Sequence, residues 1–275
     1  MERIAPLRLA EKWDNVGLLL ESPVPRLGRN RVLLTIDLTT SVLSEALAKE
    51  TGVIVAYHPT IFKGLQSLTL SNPLQNSLLR CAAEGISVYS PHTALDSVWG
   101  GINDWLAQGL LLKPEDGTVA ALLGLKMNSA TGESEGAEGR LVTLNEPVDI
   151  KELERRIKAH LKLKHLQVGY PSSDEQTTGS LVQKIAICAG SGGSMLLGTA
   201  ADVYFTGEMS HHEVLGAVAA GKHVVLCGHT NTERGYLPVL AAKLRNELEK
   251  DSEVGLAGKV DIEVSRKDEH PLQIV

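Results

Sequence analysis

Short apolar runs alternate with amphipathic stretches along this chain, and the alternation limits the folds that it can adopt. The apolar runs Arg31–Ile36, Val53–Tyr57 and Ile86–Tyr89 have the length of strands, and stretches with helical periodicity separate them. The same alternation returns in the second half of the chain, where the pattern predicts a helix over Ile150–Leu161 and strands at Lys184–Cys188, Val203–Phe205 and His223–Cys227. Strands that alternate with helices of about 10–15 residues indicate βαβ units with right-handed crossovers. The sequence therefore predicts an α/β fold with mostly parallel sheets flanked by helices.

A polar, glycine-rich segment interrupts this alternation near the middle of the chain. Residues 111–139 lose the pattern, and the stretch 128–139 is built mainly from Gly, Ser, Glu, Ala and Thr. Such a composition is typical of a connecting segment. We therefore predict an N-terminal lobe over 1–127, a linker over 128–139 and a C-terminal lobe over 140–275. A chain of 275 residues is also compatible with one larger, intertwined domain.

A short motif occurs twice, half the chain length apart. His92–Asp96 reads HTALD and His229–Glu233 reads HTNTE, and each follows an apolar run and precedes a helical stretch. Chance similarity of so short a motif is one explanation. The matching strand-to-turn context favours the other, in which the two lobes are related.

Composition argues against a nucleic acid as the binding partner and favours a reducing cellular compartment. The net charge of −6 argues against a nucleic-acid backbone as the partner, because phosphate binding relies on clustered Lys and Arg. The three cysteines are widely spaced, without a Cys-x-x-Cys pair, which suits a reducing compartment and buried thiols. No apolar run has membrane-spanning length and no signal peptide is recognisable. We expect a cytoplasmic protein, and the nucleus and the mitochondrion are alternative locations. The natural protein could also begin before the first residue of this sequence.

Histidines and carboxylates follow several of the predicted strands. In open parallel sheets, ligands bind beyond the carboxyl ends of the strands, where the loops splay apart. Imidazole suits Zn, Fe or Ni, and carboxylate also suits Mn. The alternative is a buried polar network that joins strand ends without a metal. The residues that follow predicted strands in this way, and that we predict as ligands of a divalent metal, are His58, Asp96, His229 and Glu233.

Three further polar residues near strand ends have open roles. His92 is a candidate acid or base, a further ligand, or a residue that hydrogen-bonds to a ligating carboxylate. Glu208 and His211 lie at a strand-to-helix turn, where Ser210 and Glu213 also have the spacing of a capping box. We take His92 and His211 as the candidate catalytic residues.

Two acidic positions and one glycine-rich loop allow both a functional and a purely structural interpretation. Asp37 either faces the pocket or caps the helix that follows it, and capping is the more frequent role. Asp14 and Asn15 either reach the pocket or begin a strand. The loop Gly190–Ser194 lacks both common nucleotide-loop fingerprints, so a tight turn is favoured over an anion site.

Six motifs occur in a fixed order along the chain: Ala10–Leu18 (AEKWDNVGL), Val55–Pro59 (VAYHP), Tyr89–Asp96 (YSPHTALD), Cys188–Gly192 (CAGSG), Tyr204–His212 (YFTGEMSHH) and His229–Gly235 (HTNTERG). Together they resemble the Nif-three-like family, whose members are often labelled GTP cyclohydrolase 1 type 2 homologues. The resemblance is greatest to the eukaryotic branch that lacks an inserted central domain.

The resemblance implies two α/β lobes, a dinuclear metal site in the cleft between them, and assembly into a ring such as a hexamer. The family's ligands fall on His58, Asp96, His229 and Glu233. The sequence departs from the bacterial pattern at Tyr57, where a first histidine is usual. A phenol with an ordinary pKa near 10 is a poor ligand, so we expect one or two ions per chain.

Two functions are compatible with these observations. The first is hydrolase-like chemistry on a nucleotide or phosphoester by metal-activated water, with His92 or His211 as acid or base. The second is a non-enzymatic scaffold or regulatory partner with a structural metal. The family takes its name from interaction with a transcriptional adaptor, which implies protein partners in transcription regulation.

Overall fold

The computed structural model describes residues 1–24, 26–171, 180–250 and 258–275. The chain divides into two compact units, the first made of residues 1–95 with 236–275 and the second of residues 96–235. Each unit contains one β-sheet with helices packed on it. The predicted linker over 128–139 lies inside the second unit, and the last stretch of the chain returns to the first unit.

Helices and strands alternate along most of the chain, as predicted, and a long hairpin interrupts the alternation. The strands are β1 (Gly17–Leu20), β2 (Arg31–Thr35), β3 (Thr51–Ala56), β4 (Ser87–Ser90), β5 (Gly117–Met127), β6 (Ser134–Asp149), β7 (Gln167–Gly169), β8 (Leu181–Ser191), β9 (Val203–Glu208), β10 (His223–Leu226) and β11 (Asp261–Val264). The helices are α1 (Thr40–Ala48), α2 (Pro73–Ala83), α3 (His92–Ser97), α4 (Ile102–Gln108), α5 (Ile150–Leu161), α6 (Gly193–Leu196), α7 (His211–Ala219) and α8 (Leu237–Lys250).

The sheet of the first unit is mostly parallel, as predicted. Its strand order is β1-β4-β3-β2-β11, and β1 alone runs antiparallel to its neighbour among these strands. Aliphatic side chains such as Leu33, Ile54 and Val88 are fully buried and pack against α1 and α2. The parallel register places Thr35 of β2 opposite Ala56 of β3. The residues that follow these two strands therefore leave the sheet at the same edge.

The sheet of the second unit is mixed, which corrects the expectation of mostly parallel strands. Its order is β5-β6-β8-β9-β10-β7, with β8, β9 and β10 parallel and the other neighbours antiparallel. A long β5–β6 hairpin that the sequence did not predict supplies most of the antiparallel pairing, and β7 pairs antiparallel with β10 at the other edge. The predicted linker contains its turn, where Asn128 Oδ1 accepts hydrogen bonds from the Ala130 and Thr131 amides. The polar, glycine-rich composition of this segment therefore belongs to a hairpin.

None of the helices within the described residues combines the length and the apolar character needed to cross a membrane.

Candidate metal centre

In the second unit, one histidine lies between two carboxylates. Glu208 ends β9, and His229 begins a 3₁₀ turn just after the parallel neighbour β10. Glu208 Oε1 is 3.0 Å from His229 Nδ1, and Glu233 Oε1 is 3.3 Å from His229 Nε2. Glu233 is only 1% exposed, whereas Glu208 reaches solvent. Both ring nitrogens of His229 thus face an acidic oxygen.

This arrangement calls for a proton or a metal ion between His229 and Glu233. A neutral imidazole carries a proton on one nitrogen, and an ionised carboxylate only accepts hydrogen bonds. If Nδ1 donates to Glu208, the lone pair of Nε2 faces the acceptor Glu233, and a proton or a metal ion has to lie between them. Two ligand atoms on one edge of a zinc tetrahedron, each about 2.0–2.1 Å from the ion, are separated by about 3.3 Å. The observed 3.3 Å between Nε2 and Oε1 therefore fits a shared divalent ion, and the two residues form a possible His/Glu metal-binding group.

Two glycines allow the backbone to approach this group closely. A Cβ added at Gly190, where φ is +65°, would lie 2.8 Å from Glu233 Oε1 and 2.9 Å from His229 Nε2. At Gly207, a Cβ would lie 2.7 Å from the Cα of His229. Side chains at either position would fill the space beside the imidazole. The space around His229 thus explains one glycine in each of two motifs, Gly190 in CAGSG and Gly207 in YFTGEMSHH.

In the first unit, a second histidine has the same kind of partner. Asp37 follows β2 and His58 follows β3, and Asp37 Oδ1 lies 2.9 Å from His58 Nδ1. The capping role that was favoured for Asp37 is wrong. The N-cap of α1 is Thr39, whose Oγ1 accepts a hydrogen bond from the Val42 amide.

The two carboxylate–histidine pairs are built in the same way. The acid and the histidine are 21 residues apart in both Asp37–His58 and Glu208–His229. In each pair a nine-residue helix, α1 or α7, separates two parallel neighbouring strands. The repeated motif HTALD/HTNTE makes His92 the counterpart of His229. The carboxylate on Nδ1 instead makes His58 the counterpart of His229. The constant spacing was the signal in the sequence that could have identified Asp37 and Glu208 as the partners.

A third carboxylate holds His92, also within the first unit. Asp14 Oδ1 lies 2.8 Å from His92 Nδ1, and Asp14 Oδ2 accepts hydrogen bonds from the amide and the hydroxyl of Thr93. Burial alone would raise the pKa of Asp14, but the hydrogen bonds from His92 and Thr93 outweigh it and lower the pKa. His92 has φ +30°, a conformation that non-glycine residues rarely adopt. Its ring centroid lies 5.5 Å from that of His58. Asp14 therefore positions His92 beside His58.

Asp96 belongs to the second unit, where its half-buried side chain adds negative charge. Its carbonyl accepts a hydrogen bond from Asn103 Nδ2, and the buried Arg140 binds the next two carbonyls. Burial raises the pKa of the Cys188 thiol, and the charges of Asp96 and Glu233 raise it further. Cys188 therefore stays a neutral thiol near these carboxylates, and its predicted role as a buried apolar residue is confirmed.

The remaining candidates lie at the strand-to-helix turns of the second unit. His211 begins α7, is exposed, and packs its ring against that of His212. The Ser210 amide donates a hydrogen bond to Glu213 Oε2, as expected for a capping box. The Glu213 carboxylate also lies against Gly193, so negative charge already occupies the glycine-rich loop. This contact favours the tight turn over an anion site.

Comparison with known proteins extends over nearly the whole chain. The family model Duf34/NIF3 (NGG1p interacting factor 3) matches residues 1–265. A Schizosaccharomyces pombe protein named Protein NIF3 homolog is 48% identical over 253 residues, which is 91% of this chain and 88% of that protein. The Saccharomyces cerevisiae protein named NGG1-interacting factor 3 is 38% identical over 253 residues, 88% of this chain and 87% of that protein. The crystal structure of a Bacillus cereus protein related to NIF3 has a TM-score of 0.80 at 20% identity, covering 100% of this chain and 96% of that one.

Proposed function

Because this chain belongs to the Duf34/NIF3 family, we propose that it holds a divalent metal ion through His58, Asp96, His229 and Glu233 and hydrolyses a nucleotide or phosphoester. The observation that carries the proposal is His229 between two carboxylates, because a divalent ion shared by His229 Nε2 and Glu233 Oε1 fits their 3.3 Å separation. Carboxylates on the Nδ1 atoms of His58 and His229 direct the Nε2 lone pairs outward, as in metal sites where a carboxylate orients the ligand. The donor set suits Zn, Mn, Fe or Ni, as one or two ions per chain.

Each residue has a distinct part in this proposal. A bound divalent ion would supply Lewis-acid activation of water. His92 is the first candidate for the acid or base, because Asp14 holds its Nδ1 and fixes the orientation of the ring. His211 is the second candidate, and its exposure leaves it accessible to a substrate. Glu208 and Asp37 act through the histidines that they orient.

Metal analysis combined with a substrate screen tests the proposal. We would measure bound metal by mass spectrometry after dialysis, and turnover of nucleotides and phosphoesters, for the wild type, His229→Ala and Asp96→Ala. His212→Ala is the matched control, because that histidine is exposed and its ring contacts His211. Both ligand variants should lose metal and turnover together, while the control keeps both. Full metal content in His229→Ala would refute the ligand set, and metal binding without turnover of any substrate would refute the hydrolase.

The second candidate function is that of a scaffold or regulatory partner, favoured by the name of the yeast relative, NGG1-interacting factor 3. In that case the metal stabilises a homo-oligomeric ring, such as a hexamer, and a protein partner in transcription regulation binds the assembled chain. Size-exclusion chromatography with light scattering would compare the wild type with Asp96→Ala. If Asp96→Ala loses its ring and its partner together with the metal, and the wild type turns over no substrate, this function is supported. Turnover lost with the metal contradicts it.

A further inference from the structure

Two large aromatic side chains beside His92 are exposed to solvent. Trp13 is 62% exposed and Phe62 is 51% exposed. Their ring centroids lie 5.9 Å apart, and the ring of His92 lies 6.0 Å from Trp13 and 6.3 Å from Phe62. Tryptophan and phenylalanine contribute most to stability when they are buried, so an exposed pair at a candidate site indicates a binding role.

The backbone that presents Trp13 is well anchored. The next residue, Asp14, is tied to the Thr93 amide and hydroxyl, and its carboxylate is fully buried. Asn15 Nδ2 donates a hydrogen bond to the carbonyl of Ile61, which joins this loop to the segment that carries Phe62. A ring held on a fixed backbone loses little conformational freedom when a ligand binds, so more of the contact energy is available for binding.

The rings that contact Trp13 do not stack parallel to its indole, so a planar ligand could do so. His92 meets Trp13 at an interplanar angle of 79°, and Phe62 meets it at 57°. These are edge-on and tilted contacts of the kind common between aromatic side chains, and neither is a parallel stack. Together with its exposure, this geometry suits the indole for stacking against a planar ring.

We propose that Trp13, supported by Phe62, is the platform on which the heterocyclic base of a nucleotide stacks, with the nucleotide's phosphate directed toward His58. This inference rests on the proposed function and selects nucleotides over phosphoesters that lack a base. Successive ring centroids lie 5.5 Å apart from His58 to His92 and 6.0 Å apart from His92 to Trp13. A nucleotide combines a π face with a phosphate, so one small molecule matches both ends of this row of rings.

Fluorine NMR of the full chain tests the platform directly. Protein grown with 5-fluorotryptophan carries three labelled residues, and the Trp13→Phe variant identifies the signal of Trp13. We expect AMP and adenosine at millimolar concentration to shift the Trp13 signal, while ribose 5-phosphate, which lacks a base, does not. The adenosine shift should persist after treatment with a chelator, because stacking on the indole requires no metal ion. An equal shift with ribose 5-phosphate, or no shift with AMP, would overturn the proposal.

Variants then separate this inference from the proposed hydrolysis. Trp13→Leu should weaken AMP binding about tenfold or more, and Phe62→Leu should weaken it less. Leu70→Ala is the control, because Leu70 is 68% exposed in the same unit and should leave AMP binding unchanged. Unchanged AMP binding in Trp13→Leu refutes the platform even if metal-dependent turnover persists, and AMP binding without turnover refutes hydrolysis alone. A Trp13 signal that follows protein concentration and ignores AMP would assign this surface to an interface between copies of the chain.

Discussion

Replacing Gly190 by alanine should damage the candidate metal centre without removing any ligand. The new Cβ would lie 2.8 Å from Glu233 Oε1 and 2.9 Å from His229 Nε2. Ordinary contacts of carbon atoms begin near about 3.4 Å, so each donor atom would have to retreat by roughly 0.5 Å. Binding sites need their donors held within about 0.5 Å of the productive position. We therefore expect metal affinity to fall about 10–100-fold, similar to the loss when a residue that orients a ligand is mutated.

The left-handed backbone at Gly190 requires a matched control. Alanine at φ +65° is strained whatever its surroundings, at a cost of about 1–2 kcal/mol in the free energy of unfolding. Gly198 has φ +82°, and no heavy atom of the described chain lies within 4 Å of a Cβ added there. Gly198→Ala therefore carries the backbone strain without the collision. Both variants should lose stability through the strain, Gly190→Ala the more because of its collision, and Gly190→Ala alone should lose metal affinity.

Competition for Zn²⁺ with a chromophoric chelator measures the affinity, and urea unfolding of the metal-free proteins measures the stability. The reasoning fails if Gly190→Ala and Gly198→Ala bind Zn²⁺ equally well. That result would mean that the ion does not use the space between His229 and Glu233. A loss of affinity in both variants would instead assign the effect to backbone strain.

Two further substitutions test the metal count and the pH dependence. Tyr57→His should add a second ion per chain in metal analysis, because imidazole replaces a phenol that is a poor ligand near neutral pH; an unchanged ratio in a folded variant contradicts this. Burial alone would raise the pKa of Glu45, but hydrogen bonds from Ser265 and Lys49 outweigh it and lower the pKa, so the charged form stabilises the fold above the ordinary value of 4.5. That stability is lost as the pH falls through the lowered pKa. By urea unfolding, the wild type should therefore have a higher free energy of unfolding than Glu45→Gln at pH 7, and this difference should disappear in acid. A difference that does not change with pH would contradict this.

Elements with strong local signals could be predicted from the sequence almost to the residue. Helix α5 begins and ends at the predicted residues, because Asp149 accepts a hydrogen bond from the Lys151 amide at its start and Lys162 adopts a left-handed conformation at its end. The strands on either side of α1 and α7 were predicted because their aliphatic runs are short and continuous. These signals lie within a few residues of the elements that they define.

Pairing between distant segments could not be read from local signals. The β5–β6 hairpin was missed because its exposed edge strand and its polar turn resemble an irregular connection. Asp14, Asp37 and Glu208 were named as pocket candidates, but the sequence did not pair them with their histidines, since Asp14, for example, lies 78 residues from His92. Asp37 was assigned to a cap because it precedes a helix, but Thr39 is closer to the first turn and takes that role.

The repeated construction of the two carboxylate–histidine pairs leads to a test of the whole ligand set. If His58 and His229 hold the same ion, then Asp37→Asn and Glu208→Gln each remove the charge that orients one ligand. Each should lower Zn²⁺ affinity by about 10–100-fold, because a neutral amide supports the Nδ1 proton less well than a carboxylate. The two losses should be of similar size, since acid, helix and histidine follow the same spacing in both units. If Glu208→Gln weakens binding and Asp37→Asn does not, the ion belongs to the second unit alone and His58 is not a ligand.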